Sequence, residues 1–261
     1  MIFQKQILFS PLTPFRSLLL ISVLGAFMLD RASGVAADLT DLSPSVEAVE
    51  ALRGMTVQPG LKAQIFASEP LFANPVAFTF DDQGRCFLVE THRRRTSVFD
   101  IRRFRDWLDD DFSFRTVDDR RVFLKLSVRP NNPSIADRYR VDRNGDGLFD
   151  IDDLEVEAER IRLLIDQDGD GVADRATTFA EGFDSSVSGV AAGILAHGDS
   201  VWFTCIPDLW RLKDRNQNGE ADERELLHTG FGVHIAFGGH DFHGVIMGPD
   251  GRLYFSIADR G

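Results

Sequence analysis

Two stretches of the chain, LIDQDGDGVADRATTFAEGF (164–183) and LKDRNQNGEADERELLHTGF (212–231), follow one pattern at an offset of 48 residues. In each, a leucine precedes a loop of alternating Asp or Asn residues with a glycine, and a strand-like run then ends on Gly-Phe. A repeat of about 40 to 50 residues built from short strands is typical of β-propeller blades. The sequence therefore predicts an all-β fold of the propeller class.

Three further segments show the alternation of paired antiparallel strands. Hydrophobic and polar residues alternate around a glycine-bearing turn in LKAQIFASEPLFANPVAFTFDDQGRCFLVE (61–90), GVAAGILAHGDSVWFTC (189–205) and HGVIMGPDGRLYFSI (243–257). Together with the repeat they account for about three and a half blades, and an open stack of blades leaves unpaired strand edges. We therefore expect the natural chain to continue past Gly261.

The predicted organisation has three parts. Residues 1–37 combine Lys5 and Arg16, a short hydrophobic run and a small-residue cleavage pattern, which predicts a signal peptide and export to the periplasm or cell surface; an uncleaved membrane anchor is the alternative. Residues 38–60 form a linker with one short helix, for which Ser43 is the expected N-cap. Residues 61–261 form a partial propeller, which a partly helical insertion at 98–160 interrupts between the first and second blades.

The charge of the chain limits its partners. Its net charge is −12 and its pI is near 4.9, which argues against nucleic acid because phosphate binding needs an excess of Lys and Arg. The arginine runs at 93–95 and 102–105 are predicted to be solvated or ion-paired surface. Cys86 and Cys205 both lie in strand-like stretches, so we expect buried thiols rather than a disulfide.

Three loops have the pattern of a calcium-binding loop: DRNGDGLFDIDD (142–153), DQDGDGVADRAT (166–177) and DRNQNGEADERE (214–225). Ca²⁺ takes six to eight oxygens, which side chains at alternate positions and the main-chain carbonyl at position 7 can supply. The predicted ligands are Asp142, Asn144, Asp146, Leu148, Asp150, Asp153, Asp166, Asp168, Asp170, Val172, Asp174, Asp214, Asn216, Asn218, Glu220, Asp222 and Glu225. We expect a structural role for this calcium, since strand-like flanks lack the paired helices of a sensor.

Position 12 distinguishes the three loops. The third loop has Glu225, which can bind through both oxygens, and the first has the shorter Asp153. The second loop has Thr177 there and needs a water or a distant ligand. On this criterion the third loop is predicted to bind calcium best, and the second loop least well.

Several segments together resemble a known family: FASEPLFANPVAF (66–78), GRCFLVE (84–90), DGDGVADRATTFAEGF (168–183), DRNQNGEADERELL (214–227) and GPDGRLYFSI (248–257). They look like the N-terminal propeller of large exported bacterial proteins named membrane-bound dehydrogenases, over residues 55–261. Those propellers are similar to the soluble quinoprotein glucose and sorbosone dehydrogenases, six-bladed enzymes that use pyrroloquinoline quinone (PQQ) and calcium. The resemblance implies about half of a six-bladed propeller, with further domains beyond residue 261, one of which could bear haem.

The same resemblance implies a catalytic residue. His240 lies eight residues before Gly248-Pro249-Asp250, where the quinoprotein enzymes have their general base. An imidazole with a pKa near neutrality can take a hydroxyl proton. The sugar dehydrogenases carry Asp immediately before this histidine, where this chain has Gly239, and that departure puts sugar specificity in doubt. His243 is the rival base, and in an extended segment it points away from His240, so at most one of the two faces a central cavity.

The expected function is therefore the oxidation of an alcohol or sugar hydroxyl with a quinone acceptor. A non-catalytic propeller that binds carbohydrate or a partner domain is the alternative, because propellers host many functions. A lactonase-like hydrolase is a third possibility, but its catalytic metal would need ligands that converge in the central channel. Basic residues lining the channel would favour the dehydrogenase, and aromatic residues at the rim would favour the binding module.

Overall fold

The computed structural model describes residues 43–238 and 240–258, and the predicted signal peptide lies outside this part of the chain. The described residues are mostly antiparallel β-sheet, so the prediction of a sheet-rich fold is confirmed. Two four-stranded sheets and one hairpin follow one another along the chain, with every pair of neighbouring strands consecutive in sequence. The strands are β1 (Pro75–Phe80), β2 (Cys86–Glu90), β3 (Glu159–Ile165), β4 (Arg175–Phe183), β5 (Ala191–His197), β6 (Ser200–Cys205), β7 (Asp208–Lys213), β8 (Glu223–His228), β9 (Phe242–Met247) and β10 (Leu253–Ile257).

The first strands of the three units lie side by side. β5 packs between β1 and β9, and the N–H of Ala196 on β5 donates to Thr79 Oγ1 on β1 over 3.4 Å. On the other side, Thr204 Oγ1 donates to the carbonyl of Phe242 on β9 over 2.7 Å. Gly193 allows this close approach, because a Cβ at this position would lie 2.5 Å from Thr204 Oγ1.

The main hydrophobic core fills the space between the two four-stranded sheets. Phe87 and Phe179 from the first sheet meet edge to face at 4.9 Å, and Phe203 from the second sheet is completely buried. Burying a side chain of this size contributes about 1.5–3 kcal/mol. The alternation of hydrophobic residues seen in the sequence thus places one face of each strand in a shared core.

The helical insertion was expected between two blades, and this position was wrong. Residues 91–158 connect β2 to β3 within the first sheet, whose register pairs Cys86 directly with Leu164, so the insertion lies inside this sheet. A long connection between neighbouring antiparallel strands is possible because the strand ladder fixes the register. The insertion contains α2 (Leu108–Ser113), α3 (Val117–Ser127) and 3₁₀ turns at Ile101–Arg103, Arg105–Trp107, Asp137–Tyr139 and Ile151–Glu155.

The insertion has its own hydrophobic cluster, in which Phe104 stacks on Trp107 at 4.5 Å. α3 begins with a capping box: Thr116 Oγ1 accepts the N–H of Asp119, whose carboxylate accepts the N–H of Thr116. The helix predicted before the sheets is α1 (Val46–Gly54), and its N-cap is Ser45 rather than Ser43, since Ser45 Oγ accepts the N–H of Ala48.

The prediction that the arginine runs are surface is wrong for Arg93. Its side chain is fully buried, and its guanidinium donates five hydrogen bonds of 2.6–3.2 Å to main-chain carbonyls. The carbonyls belong to Leu154, Glu157, Asp184, Ser185 and Ser188. Arg93 therefore ties the end of the insertion to the connection between the two sheets, and burial lowers its pKa.

A buried carboxylate lies next to this arginine. Glu159 accepts hydrogen bonds from Thr91 Oγ1 and from the main-chain N–H groups of His92, Arg93 and Ala191, over 2.9–3.2 Å. Burial raises the pKa of this carboxyl group, which these hydrogen bonds oppose.

Cys86 and Cys205 lie in separate sheets as buried thiols, and burial raises the pKa of Cys86 to about 11. Among the described helices, none has the length and hydrophobicity to cross a bilayer.

Candidate functional site

Two of the three predicted calcium loops occupy the same place in successive sheets. The loop that starts at Asp166 joins β3 to β4, and the loop that starts at Asp214 joins β7 to β8. The offset of 48 residues seen in the sequence is therefore the distance between equivalent hairpins. The loop that starts at Asp142 lies in the insertion instead, just before the 3₁₀ turn at Ile151–Glu155.

The side chains at positions 1, 3 and 5 wrap each loop around its own main-chain amides. In the second loop, Asp166 accepts the N–H groups of Gly169 and Gly171 at 2.7 and 2.8 Å, and Asp170 accepts that of Val172 at 2.8 Å. The first loop has the same arrangement around Asp142, Asn144 and Asp146, and the third has it around Asp214, Asn216 and Asn218. The predicted main-chain ligand at position 7 is Leu148, Val172 or Glu220 in the three loops.

The carboxylate that closes the loop differs between them. In the second and third loops, Asp174 and Asp222 at position 9 accept the N–H groups of positions 2 and 3. In the first loop, the buried Asp153 at position 12 accepts those of Arg143 and Asn144, while Asp150 caps the following turn. Position 12 is therefore part of the loop only in the insertion.

The structure does not bring Glu225 into the third loop. Glu225 lies on β8 opposite Arg211 on β7, and the two side chains form an ion pair. Among the described residues, the one group of three carboxylates whose oxygens lie within 4.8 Å of one another is Asp166, Asp168 and Asp174. Proximity of carboxylates thus favours the second loop, although position 12 had favoured the third.

A large cavity opens where the first strands of the three units begin. We call it the strand-end cavity; its volume is about 710 Å³. Val76 on β1, Ala192 on β5 and His243 on β9 line it, each close to the start of its strand, and β5 packs against both of the others. Its polar lining residues are Asn74, Thr91, His92, Arg94, Arg95, Thr96, Glu157, Asp241 and His243.

His243 lines this cavity, and its Nε2 accepts the main-chain N–H of Asp241 over 3.1 Å. Asp241 is 1% exposed and lines the cavity as well. An imidazole and a carboxylate therefore lie beside the same space.

His240 is placed elsewhere. It is exposed, its ring meets Phe237 edge to face at 5.0 Å, and it lines neither the strand-end cavity nor the pocket next to it. Of the two histidines, His243 is thus the one that faces the cavity. The sequence contained no signal that would select Asp241, since its role depends on where β9 begins.

Four of the six arginines of the two runs lie at the cavity or at the space next to it. Arg94 and Arg95 line both the strand-end cavity and a second space, which we call the arginine pocket. The pocket is also lined by Arg102, Arg103, Arg138, Tyr139 and Arg143 of the insertion. The run Arg93-Arg94-Arg95 was the available sequence signal, but its three members divide between a buried anchor and exposed cavity walls.

The protein is thus a repeated antiparallel β-sheet protein. Each of its two four-stranded sheets has an acidic loop on its last hairpin, and a polar cavity lies at the first strands. A family model described as Domain of unknown function (DUF7133) matches residues 47–261, so the chain belongs to that family. Neither a curated protein nor a solved structure matches the sequence.

Proposed function

We propose that the chain is part of an exported, calcium-stabilised β-propeller dehydrogenase that oxidises an alcohol or sugar hydroxyl with a quinone acceptor. The observation that carries this proposal is the strand-end cavity, where Arg94 and Arg95 stand beside His243 and Asp241. Quinones of the PQQ type are carboxylates, and arginine binds carboxylate with two parallel hydrogen bonds. Basic residues in this position favour the dehydrogenase over the binding module.

The propeller is supported by equivalent contacts in the two sheets. The N–H of Ala221, at position 8 of the third loop, donates to the carbonyl of Phe179 on β4 over 2.8 Å. Its equivalent in the second loop, Ala173, donates to the carbonyl of Phe66 over the same distance. Phe179 lies on β4, the outermost strand of the first sheet, and contacts the second sheet. Phe66 contacts the first sheet in the same way.

A second pair of contacts has the same register. A Cβ placed on Gly219 of the third loop would lie 3.4 Å from Thr177 Oγ1, and Thr177 is two residues before Phe179. A Cβ placed on Gly171, the equivalent residue of the second loop, would lie 3.0 Å from Gln64 Nε2, and Gln64 is two residues before Phe66. We infer that residues 61–67 are the outermost strand of a preceding blade.

One face of β1 exposes hydrophobic side chains that such a blade would cover. Val76, Phe78 and Phe80 are 40%, 66% and 46% exposed, while Ala77 and Thr79 between them face β5. In a closed ring this apolar face would be covered by the sheet that contains residues 61–67. The occupant we propose is therefore a further sheet of the same protein, which completes six blades.

The proposed chemistry uses the two groups that face the cavity. The carboxylate of Asp241 takes the proton of the substrate hydroxyl, and the imidazole of His243 beside it positions the substrate. The hydrogen on the carbinol carbon leaves with its electron pair, so the alcohol becomes a carbonyl compound. A bound quinone would supply the hydride acceptor. His240, which the resemblance implies as the base, is the alternative proton acceptor.

Calcium fits the second loop best. Oxygens bound to one Ca²⁺ at about 2.3–2.6 Å can be no more than about 5 Å apart. The carboxylates of Asp166, Asp168 and Asp174 satisfy this limit. They would hold the ion, which would offset their mutual repulsion and fix the β3–β4 hairpin.

The proposal is tested by calorimetric titration of the full-length protein with PQQ in calcium buffer. We expect binding that weakens at least about tenfold when Arg94 and Arg95 are both replaced by Gln, because each loses a charged hydrogen bond. Arg129→Gln, at an exposed position outside both spaces, is the matched control. Absence of PQQ binding would reject the quinone and favour the carbohydrate- or partner-binding module.

The proton acceptor is then assigned by turnover with a panel of alcohols and sugars. Asp241→Asn should abolish oxidation and leave PQQ binding in place, whereas His240→Ala should have little effect. His197→Ala, exposed at the end of β5, controls for the loss of an imidazole. Full activity of Asp241→Asn together with an inactive His240→Ala would return the role to His240.

A further inference from the structure

The arginine pocket has a composition that the rest of the chain does not share. It has a volume of about 200 Å³ and lies between the insertion and the first residues after β2. The chain as a whole carries a net charge of −12. Six arginines nevertheless line this one pocket: Arg94, Arg95, Arg102, Arg103, Arg138 and Arg143.

Within the described part of the chain, most of these arginines have no carboxylate partner. Asp100 pairs with Arg102 through both carboxylate oxygens, and Asp241 is the other acidic residue of the lining. The other five arginines make no ion pair with any carboxylate among the described residues. Like charges held this close repel one another, and a bound anion would relieve that repulsion.

Tyr139 adds an oriented hydroxyl to the pocket. Arg103 Nη1 donates to its oxygen over 3.0 Å, and the guanidinium of Arg138 lies 4.7 Å from the centre of its ring. These two arginines lower the pKa of the Tyr139 hydroxyl. Because the oxygen already accepts from Arg103, the O–H proton is the group that Tyr139 can offer to a ligand.

The residues that line the arginine pocket are also supported by the packed interior of the insertion. Phe104 packs against Tyr139 at 5.2 Å and is 1% exposed, so the wall that holds Tyr139 belongs to the core of the insertion. The main-chain N–H of Arg143 is held by Asp153 over 2.6 Å. Two of the donor residues are thus attached to well-packed structure, which reduces the entropy lost when a ligand binds.

We propose that the arginine pocket binds the oxyanion group of a small molecule, a sulfate, a phosphate or a carboxylate. Guanidinium groups bind such groups in a planar fork, and Tyr139 supplies a further donor. The volume accommodates the oxyanion with part of the molecule that bears it. The pocket shares Arg94, Arg95 and Asp241 with the strand-end cavity, whereas Arg103, Arg138 and Tyr139 line the pocket alone. Variants of these last three residues therefore test the anion site apart from the proposed hydroxyl oxidation.

The test is a calorimetric titration of the full-length protein with sodium sulfate, inorganic phosphate and citrate in low-chloride buffer. We expect saturable binding of at least one of them, weakened about tenfold or more in Arg103→Gln and in Arg138→Gln. Tyr139→Phe should weaken it less, because it removes one neutral donor. Arg103→Lys should recover part of the loss, since it keeps the charge without the fork.

The control variant is Arg129→Gln, which changes the net charge equally at an exposed position outside the pocket. If Arg129→Gln weakened binding as much as Arg103→Gln, the effect would come from overall charge and the proposal would be wrong. Failure of all three anions to bind saturably at about 10 mM, a weak-affinity limit near 3 kcal/mol, would also reject it. Melting curves of each variant confirm that it folds.

The three probes distinguish the sources of the oxyanion. Preference for sulfate or phosphate over citrate assigns the pocket to a sulfate or phosphate ester, and the reverse assigns it to a carboxylate. PQQ is titrated against the same variants. Loss of PQQ binding in Arg94→Gln with retention in Arg103→Gln shows two sites. If PQQ does not bind at all, the proposed quinone is rejected, and the anion titrations still decide whether the arginine pocket binds an oxyanion.

Discussion

Replacing Arg93 with Met should remove most of the stability of the folded chain. Five main-chain carbonyls would each lose a hydrogen bond, and of the five only that of Ser185 has another described donor, the N–H of Ser188. Counting about 1 kcal/mol for each, at the low end because water will reach some of them, gives about 5 kcal/mol. That equals the entire stability of a marginal domain. Arg93→Lys should lose about 2 kcal/mol, since an ammonium group has three donors and so loses two of the five hydrogen bonds.

The assay is urea unfolding followed by tryptophan fluorescence, which reports on Trp107 in the insertion and Trp210 in the second sheet. At an m value of about 2 kcal/mol per molar, Arg93→Lys should lower the midpoint by about 1 M. Arg94→Met is the matched control, because its side chain is exposed and it should change stability by no more than about 0.5 kcal/mol. Equal midpoints for Arg93→Met and Arg94→Met would refute the anchoring role.

Three further predictions test other parts of the structure. Gly193→Ala should lower the free energy of unfolding by about 1–3 kcal/mol, since the added Cβ would clash with Thr204. Gly54→Ala, whose added Cβ would have nothing within 4 Å, should be neutral or stabilising in the same urea unfolding assay. Burial raises the pKa of Glu159 above its ordinary 4.5, so its contribution to stability is full below that pH and declines as the pH rises through the folded-state pKa. Unfolding curves against pH should therefore lose this decline in Glu159→Gln, and parallel curves for the two proteins would argue against it. Removing calcium with a chelator should lower the melting temperature, and Asp166→Asn should abolish that sensitivity; an unchanged response would exclude the second loop as the binding site.

The local elements could be predicted from the sequence because they depend on short-range patterns. The alternation in 189–205 gave β5 and β6, and the Asp-rich pattern gave hairpin loops at Asp166 and Asp214. The position of the insertion could not be predicted, since nothing in β2 indicates that its partner begins at Glu159. Pairing of strands so distant in sequence is determined by the shared core rather than by local preference.

The candidate site was harder to predict for the same reason. The strand-end cavity brings together residues from β1, β5 and β9 and from the turn after β2, and their separation in sequence conceals their proximity. Consecutive arginines carry no information on burial, so Arg93 was expected at the surface although it is the most completely buried of the run. Glu225 was expected in its loop because the pattern extends to position 12, but the strand β8 has already begun there.

The distribution of charge connects the composition of the chain to the ligands it can accept. Many of the acidic residues lie in the three loops, where carboxylates accept main-chain N–H groups, while six arginines line one pocket, five of them without an ion pair to another described residue. A long polyanion would lie across the acidic surface and be repelled along most of its length, at distances up to about 10 Å in 0.1 M salt. A small oxyanion meets that repulsion mainly on approach and is then held by arginines and by the hydroxyl of Tyr139. A negative net charge therefore argues against nucleic acid and at the same time leaves room for a small anionic ligand, because the first depends on the whole surface and the second on a few guanidinium groups.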